Sequence, residues 1–219
     1  IRRNLLLLAV RVGDSAAVER ALQGCLQNFD NGSLSHEAAA LLAAALDGLD
    51  SRPATAQLQL TSSTAQHLRE LHKKAMDTIT NANEPDDVQM AALSLLGRSY
   101  GLMTTRVVND DTSRETFRPA QRAEATASLI SARHSGAIQR AAITALSSTA
   151  ASGTTPMLLH AYAAVGAESR LAIADELMSR NSSMLELLSA IESGRIRPEI
   201  LDAARHSKLL SSTNADVRT

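Results

Sequence analysis

Two histidines of this chain, His67 and His72, are close enough in sequence to lie on one helix and to bind a metal ion together. Metal-binding pairs on a helix favour a spacing of four residues, which puts both imidazoles on the same face. The spacing of five residues here separates the two side chains by about 140° around the helix axis. We therefore expect exposed or partly buried histidines at these positions, and no metal site.

Paired carboxylates are the next residues that could do chemistry, since two of them can share general acid and base roles. Asp86-Asp87 follows Pro85 and precedes an apolar periodic segment, which is typical of a helix cap. Asp110-Asp111 lies in an aperiodic segment, 101–118, where we expect solvated side chains rather than a cation site. A weaker hypothesis places an enzyme site on that loop, which alanine replacement of both aspartates would test.

Cys25 is the single cysteine, so the chain can form no intrachain disulfide. It lies in an apolar helical stretch, and we interpret it as a buried structural thiol rather than a reactive one. No serine lies in a Gly-x-Ser-x-Gly pattern, and no glycine-rich loop could cradle a phosphate. The sequence thus predicts no catalytic residue, no metal site and no cofactor within this segment, and so no enzyme.

Composition excludes further classes of function. The formal net charge is -1, which gives no support to nucleic-acid binding because phosphate contacts need a basic surface. Aromatic residues make up 2% of the chain, so stacking pockets for bases or flat cofactors are not expected. The longest apolar run, residues 5–10, is too short to form a transmembrane segment.

The elements that would have to position any site carry a recurring pattern. Two segments have apolar residues at offsets i, i+3, i+4, i+7 and i+8, namely Val88, Ala91, Ala92, Leu95 and Leu96, then Ile138, Ala141, Ala142, Ala145 and Leu146. Gln89 and Gln139 occupy the same slot in the two segments. Two helices with the same buried stripe indicate repeated helical units that stack on each other.

The sequence predicts about eleven helices and no convincing strand. Their expected ranges are 1–12, 15–29, 35–49, 63–79, 87–99, 119–133, 137–149, 154–165, 167–179, 184–192 and 198–204. We treat 1–219 as one domain with a possible sub-boundary near 51–62 and a long loop at 101–118. Because both ends fall inside what read as helices, we expect a fragment of a larger multidomain protein.

The segments 87–93 (DVQMAAL) and 137–143 (AIQRAAI) resemble the second helix of HEAT-type repeats, with weaker copies at 169–173 and 216–218. The resemblance implies an all-α, HEAT/armadillo-like right-handed α-α superhelix. Its repeats are degenerate, because the spacing is about 50 residues and then about 31. In that family the second helices line the concave surface where partners dock, which makes Gln89, Gln139, Arg140 and Arg170 candidate protein-interaction residues.

The segment 178–219 is similar to the helical-repeat region of large planctomycete-type secreted proteins of the membrane-bound dehydrogenase or haem-binding type, and the similarity extends over roughly 85–219. There the region lies between a propeller-like dehydrogenase module and a C-terminal c-type cytochrome, which implies an extracytoplasmic (periplasmic) location in bacteria. Haem attachment needs Cys-x-x-Cys-His, and this chain lacks that motif. The haem and redox sites would therefore lie outside this segment.

Two hypotheses of function follow. In the first, the chain is a non-catalytic scaffold or protein-interaction module that links neighbouring domains of the same polypeptide or binds another protein. In the alternative, it is part of an extracytoplasmic dehydrogenase–cytochrome c protein, and a Cys-x-x-Cys-His motif is expected downstream in the full gene. For stability, we expect Leu96→Asp or Leu146→Asp to cost about 3–5 kcal/mol, and Gln139→Ala less than about 0.5 kcal/mol.

Overall fold

The computed structural model describes residues 15–29, 36–50, 61–98, 119–149, 153–212 and Asn214. Throughout those ranges the chain forms helices and turns and no strand, which confirms the all-α prediction. The α-helices are α1 (Ser15–Leu26), α2 (His36–Asp50), α3 (Ser62–Thr80), α4 (Asp86–Leu96), α5 (Pro119–Ser128), α6 (Gly136–Ser148), α7 (Thr154–Ala161), α8 (Ala167–Leu177), α9 (Asn181–Glu192) and α10 (Ala203–Leu210). Short 3₁₀ helices cover Gln27–Phe29, Tyr162–Ala164 and Pro198–Ile200.

The chain divides into two compact units, residues 1–125 and 126–219. The sub-boundary that the sequence predicts near 51–62 falls mostly on residues outside the described ranges, as do the predicted helix 1–12 and the loop 101–118. Among the described helices, none is long and apolar enough to cross a lipid bilayer.

The first unit is built from two helical hairpins. Helix α1 packs on α2, and α3 packs on α4, while α1 also contacts α3 and α2 also contacts α4. The first helices of the two hairpins are therefore neighbours, and so are the second helices. All four helices contribute to one core, which contains Leu22, Cys25, Leu26, Ala39, Leu42, Ala45, Leu46, Leu68, Leu71, Ala91 and Leu95.

Helix α2 shows why these residues pack in this way. The segment is rich in alanine and leucine on several sides, and Ala38, Ala39 and residues 42–46 are all buried. A helix that is apolar around most of its circumference must have neighbours on several sides. Alanine in these positions allows neighbouring helices to approach closely.

Polar contacts hold the ends of the first unit together. The Glu19 carboxylate of α1 accepts hydrogen bonds from the hydroxyls of Thr61 and Thr64 at the start of α3. The Arg98 Nε lies 2.7 and 2.9 Å from the two carboxylate oxygens of Asp47, near the end of α2. These contacts align the hairpins at both ends, although exposed pairs of this kind contribute little free energy.

In the second unit, α6 and α8 lie side by side and run in the same direction. Gln139 contacts Ser169, Arg140 pairs with Glu168, and Thr144 lies opposite Glu176 further along both helices. From the contacts at residues 139–140 and 168–169 to the contact of Thr144 with Glu176, residue numbers rise on both helices, as they must when the helices are parallel. Helix α7 packs on α6, α8 and α9, so α7 and α8 form a further hairpin beside α6.

The apolar stripes that the sequence predicts for α4 and α6 are confirmed. Leu96 is 1% exposed and Leu146 is fully buried. The buried face of each helix is wider than the predicted stripe, because Leu93 and Ile143 are also fully buried. Both helices are therefore covered on more than one side.

Several helix boundaries differ from the prediction. The helix expected over 119–133 ends at Ser128, where the N–H groups of Leu129 and Ile130 bond to carbonyls three residues back and tighten the chain into a turn. The helix expected over 198–204 is a 3₁₀ turn followed by α10. Asp202 accepts a hydrogen bond from the Arg205 N–H and so caps α10.

The predicted capping role of Asp86 or Asp87 needs a correction. The N-cap residue of α4 is Pro85, and both aspartates lie in the first turn of the helix. There they still favour the helix, since the N-terminal end of the helix dipole attracts negative charge.

Candidate functional site

A side-chain clamp holds the turn that precedes α4. The Gln89 side chain is 2% exposed, and its Nε2 donates to the carbonyl oxygens of Asn81 and Glu84, each at 3.2 Å. Both acceptors lie in the turn between α3 and α4. One buried amide group therefore satisfies two backbone carbonyls that regular helix bonding leaves unused.

Gln139 forms the same clamp at the start of α6. Its Nε2 donates to the carbonyl oxygens of Ser131, at 3.0 Å, and His134, at 2.9 Å. The acceptors stand eight and five residues before the glutamine, as they do for Gln89. The turn before α6 is thus held in the same way as the turn before α4.

Arg170 takes the corresponding place in α8. Its Nε donates to the Tyr162 carbonyl eight residues earlier at 3.0 Å, and its Nη2 donates to the Ala163 carbonyl at 3.3 Å. The guanidinium carbon also lies 5.4 Å from the centre of the Tyr162 ring, within the range of a cation–π contact. A different side chain therefore performs the same task in this hairpin.

The three clamp residues occupy one register. Each stands four positions after the N-cap residue of its helix, which is Pro85, Ser135 or Gly166. Each also continues into a buried row at its own i+4 and i+7 positions: Leu93 and Leu96 in α4, Ile143 and Leu146 in α6, and Ala174 and Leu177 in α8. The helices α4, α6 and α8 therefore share the positions of the clamp residue and of the buried row that follows it.

Gln89 and Gln139 differ in the hydrogen bonding of their side-chain oxygen, Oε1. The Oε1 of Gln139 accepts a hydrogen bond from the hydroxyl of Ser169 on α8 at 2.6 Å, and both residues are buried. The Oε1 of Gln89 is also buried, but no donor bonds to it within the described part of the chain. Gln139 thus joins its own turn to α8, whereas Gln89, among the described residues, bonds only to its turn.

The candidate interaction residues do not form one exposed surface. Gln89 and Gln139 were expected on a partner surface, and the structure corrects this, because both are buried and hold backbone carbonyls. Arg170 is half-buried by its clamp. Arg140 is exposed and forms an ion pair with Glu168, so of the four it is the one that presents its charge to solvent.

The stability expectation for Gln139→Ala changes accordingly. Truncation would leave two turn carbonyls and the Ser169 hydroxyl without their buried partner, and we expect a loss of about 2 kcal/mol in the free energy of unfolding. Arg140→Ala, one residue further on, is the matched control and should cost less than about 0.5 kcal/mol. Chemical denaturation of both variants measures the difference, and equal losses would show that Gln139 is not a clamp.

The two histidines of α3 lie in different environments, and one of them differs from the expectation. His67 is exposed, but His72 is 2% exposed and its Nδ1 lies 2.7 Å from the Leu68 carbonyl oxygen. The pKa of His72 is lowered to about 4, mainly because burial disfavours the charged ring; the Leu68 bond opposes this effect, and the nearby positive charge of Arg122 adds to it. His72 is therefore a neutral core residue near pH 7.

The other residues with potential chemistry behave as structural groups. Cys25 is buried, as predicted, and burial raises the pKa of its thiol, which disfavours the reactive thiolate. The described residues contain no group of three or more histidine, cysteine or acidic side chains that could hold a metal ion. Asp110 and Asp111 lie outside the described ranges, so the loop hypothesis stays a prediction.

No protein-family model matches the sequence, and neither a curated protein nor a solved structure shows significant similarity to it.

Proposed function

We propose that the chain is a non-catalytic helical-repeat module of the HEAT/armadillo kind, which holds neighbouring domains or a partner protein in a fixed relation. The observation that carries the proposal is the recurrence of the turn clamp at Gln89, Gln139 and Arg170 in one register. A repeated unit with a rigid turn and stacked second helices is the architecture that repeat scaffolds use to build extended binding surfaces.

The packing of like helices supports the same proposal. In the first unit the first helices of both hairpins are adjacent, as are the second helices, and in the second unit α6 and α8 run parallel. In the first unit each hairpin covers an apolar face of the other, which is how repeat arrays bury their core.

The proposed contact surface lies on the exposed sides of α6 and α8. Arg140 and Thr144 of α6 are exposed there, and Leu171 of α8 is 40% exposed, which is unusual for a leucine in the described residues. An exposed apolar side chain beside charged groups is a common composition for the edge of an interface. A partner protein or a neighbouring domain would cover these positions.

Site-specific photocrosslinking in cells that contain the full gene tests the proposal. In two test variants, a photoreactive amino acid replaces Arg140 or Leu171. In the control variant it replaces His160, an exposed residue of α7, which is the first helix of the α7–α8 hairpin. We expect crosslinked products from the α6 and α8 positions and few from His160. Equal yields at all three positions, or no product at any of them, would contradict the proposed surface.

A further inference from the structure

We infer that Gln139 is a coupling residue, which makes the turn at 131–135 and helix α8 open together as one cooperative step. The NH₂ group of its side-chain amide donates to the carbonyls of Ser131 and His134, and the amide oxygen accepts a hydrogen bond from the Ser169 hydroxyl. This link between the turn and α8 does not depend on the identity of a partner.

Because these hydrogen bonds are buried, they couple the turn to α8. Gln139 is 7% exposed and Ser169 is 3% exposed, so α8 is part of the cover that keeps water away from the amide. Hydrogen bonds are stronger in such a low-dielectric environment, and water competes for them once it enters. When α8 moves away, the clamp on the turn is therefore weakened at the same moment.

The Gln139 amide can form these hydrogen bonds in only one orientation. Rotation of the amide by 180° would bring its oxygen against two carbonyl oxygens and its NH₂ group against the Ser169 hydroxyl. The two carbonyls can only accept, so the amide has one favourable orientation and Ser169 must act as the donor. One side chain thus sets both the turn conformation and the position of α8.

Gln89 provides an internal comparison. It makes the same two bonds to its turn, but within the described residues its buried oxygen receives no bond from a neighbouring helix. The turn at 81–85 should therefore be clamped without being coupled through this amide. The difference predicts which of the two turns responds when the adjacent contact is removed.

Native-state hydrogen exchange of the Ser169→Ala variant tests the inference. The change removes one hydroxyl and leaves the Gln139 side chain in place. We expect exchange to become about tenfold faster in α8 and equally faster at the His134 N–H, which bonds within the turn to Ser131. Faster exchange in α8 with an unchanged His134 amide would overturn the coupling, as would no change in either.

Ser183→Ala is the matched control. Ser183 is also a buried serine of the second unit, but its hydroxyl bonds to the Arg180 carbonyl at the start of its own helix. We expect this variant to accelerate exchange in α9 and to leave His134 unchanged. If it accelerated His134 as much as Ser169→Ala does, the effect would be general destabilisation and the inference would fail.

A double-mutant cycle gives a second measurement. The unfolding equilibrium constants of Gln139→Leu, Ser169→Ala and the double variant should show a coupling factor of about ten. A factor within about twofold of one would mean that the two side chains act independently, which contradicts the inference.

Discussion

Leu146→Asp should lower the free energy of unfolding by about 3–5 kcal/mol. Leu146 is fully buried in α6, in the row that begins with Gln139 and continues through Ile143. An aspartate there would place a carboxylate among apolar side chains without a charged partner. Because native domains are stabilised by only about 5–15 kcal/mol, a loss of this size is a large share of the total stability.

Two controls separate the buried charge from other effects of the substitution. Leu146→Met keeps the apolar volume and should cost less than about 1.5 kcal/mol. Ser148→Asp adds the same charge at an exposed position of the same helix and should cost less than about 1 kcal/mol. Thermal and urea unfolding of the three variants gives the comparison, and a Leu146→Asp protein as stable as the Ser148→Asp protein would refute the assigned core face. Leu96→Asp is the equivalent test in α4.

The second large effect is acid destabilisation through His72. The folded-state pKa of His72 is lowered to about 4, below the ordinary value of 6.5. The unfolded chain therefore binds a proton at this site at a higher pH than the folded chain does, and acid favours unfolding. The stabilising contribution of neutral His72 is complete above pH 6.5 and is lost as the pH falls from 6.5 through 4.

The size of the effect follows from the two pKa values. Each pH unit between them is equivalent to about 1.4 kcal/mol, so the first unit should lose about 3 kcal/mol over the whole window. Carboxylates also titrate near its lower end, so the relevant quantity is the difference between the wild type and a variant without the histidine. His72→Leu should show a flatter dependence of stability on pH, even if its stability at pH 7 differs.

Urea unfolding at several pH values from 7 to 4 measures this difference. His67→Leu is the control, because His67 lies on the same helix and is exposed. We expect its pH dependence to match that of the wild type. If His72→Leu and the wild type lost stability in parallel between pH 6.5 and 4, His72 would not be a buried neutral residue.

Much of the fold is predictable from local sequence signals. The stripes of α4 and α6 and the Ala-rich segment of α2 are correct because burial of a helix face leaves a period of 3.6 residues in the sequence. The prediction of a buried Cys25 succeeds for the same reason. Helix ends are less certain, as α5 shows, because a helix can end wherever buried side chains such as Leu129 and Ile130 favour a turn.

The sequence contains the clamp residues, but its local pattern predicts a different role for them. A glutamine at the edge of an apolar stripe reads as a surface residue, because nothing in the stripe shows that a turn carbonyl lies within reach of its amide. A second apolar row, at 93 and 96 after Gln89 and at 143 and 146 after Gln139, is the signal that places each glutamine on a buried face. The equivalence of Arg170 depends on a bond across eight residues, which no local periodicity contains.

His72 illustrates a similar limit. Its spacing from His67 predicts that the two side chains lie on different sides of the helix, but only the packing of α3 shows that one histidine is exposed and the other is in the core. The spacing of the three clamp residues is also uneven in the sequence. Each clamp depends on contacts with its own turn, so the number of residues between successive clamps can be 50 or 31 without loss of these contacts.

The side-chain amide protons of Gln89 and Gln139 test most directly whether the hairpins share one clamped design. Nuclear magnetic resonance can follow their exchange with water beside that of Gln66 and Gln121, two glutamines with exposed side chains. We predict slow exchange and well-separated NH₂ resonances for Gln89 and Gln139, because both NH₂ groups are buried and bonded to turn carbonyls. Exchange as fast as that of Gln66 and Gln121 would contradict the clamp, and with it the repeated unit on which the proposed scaffold depends.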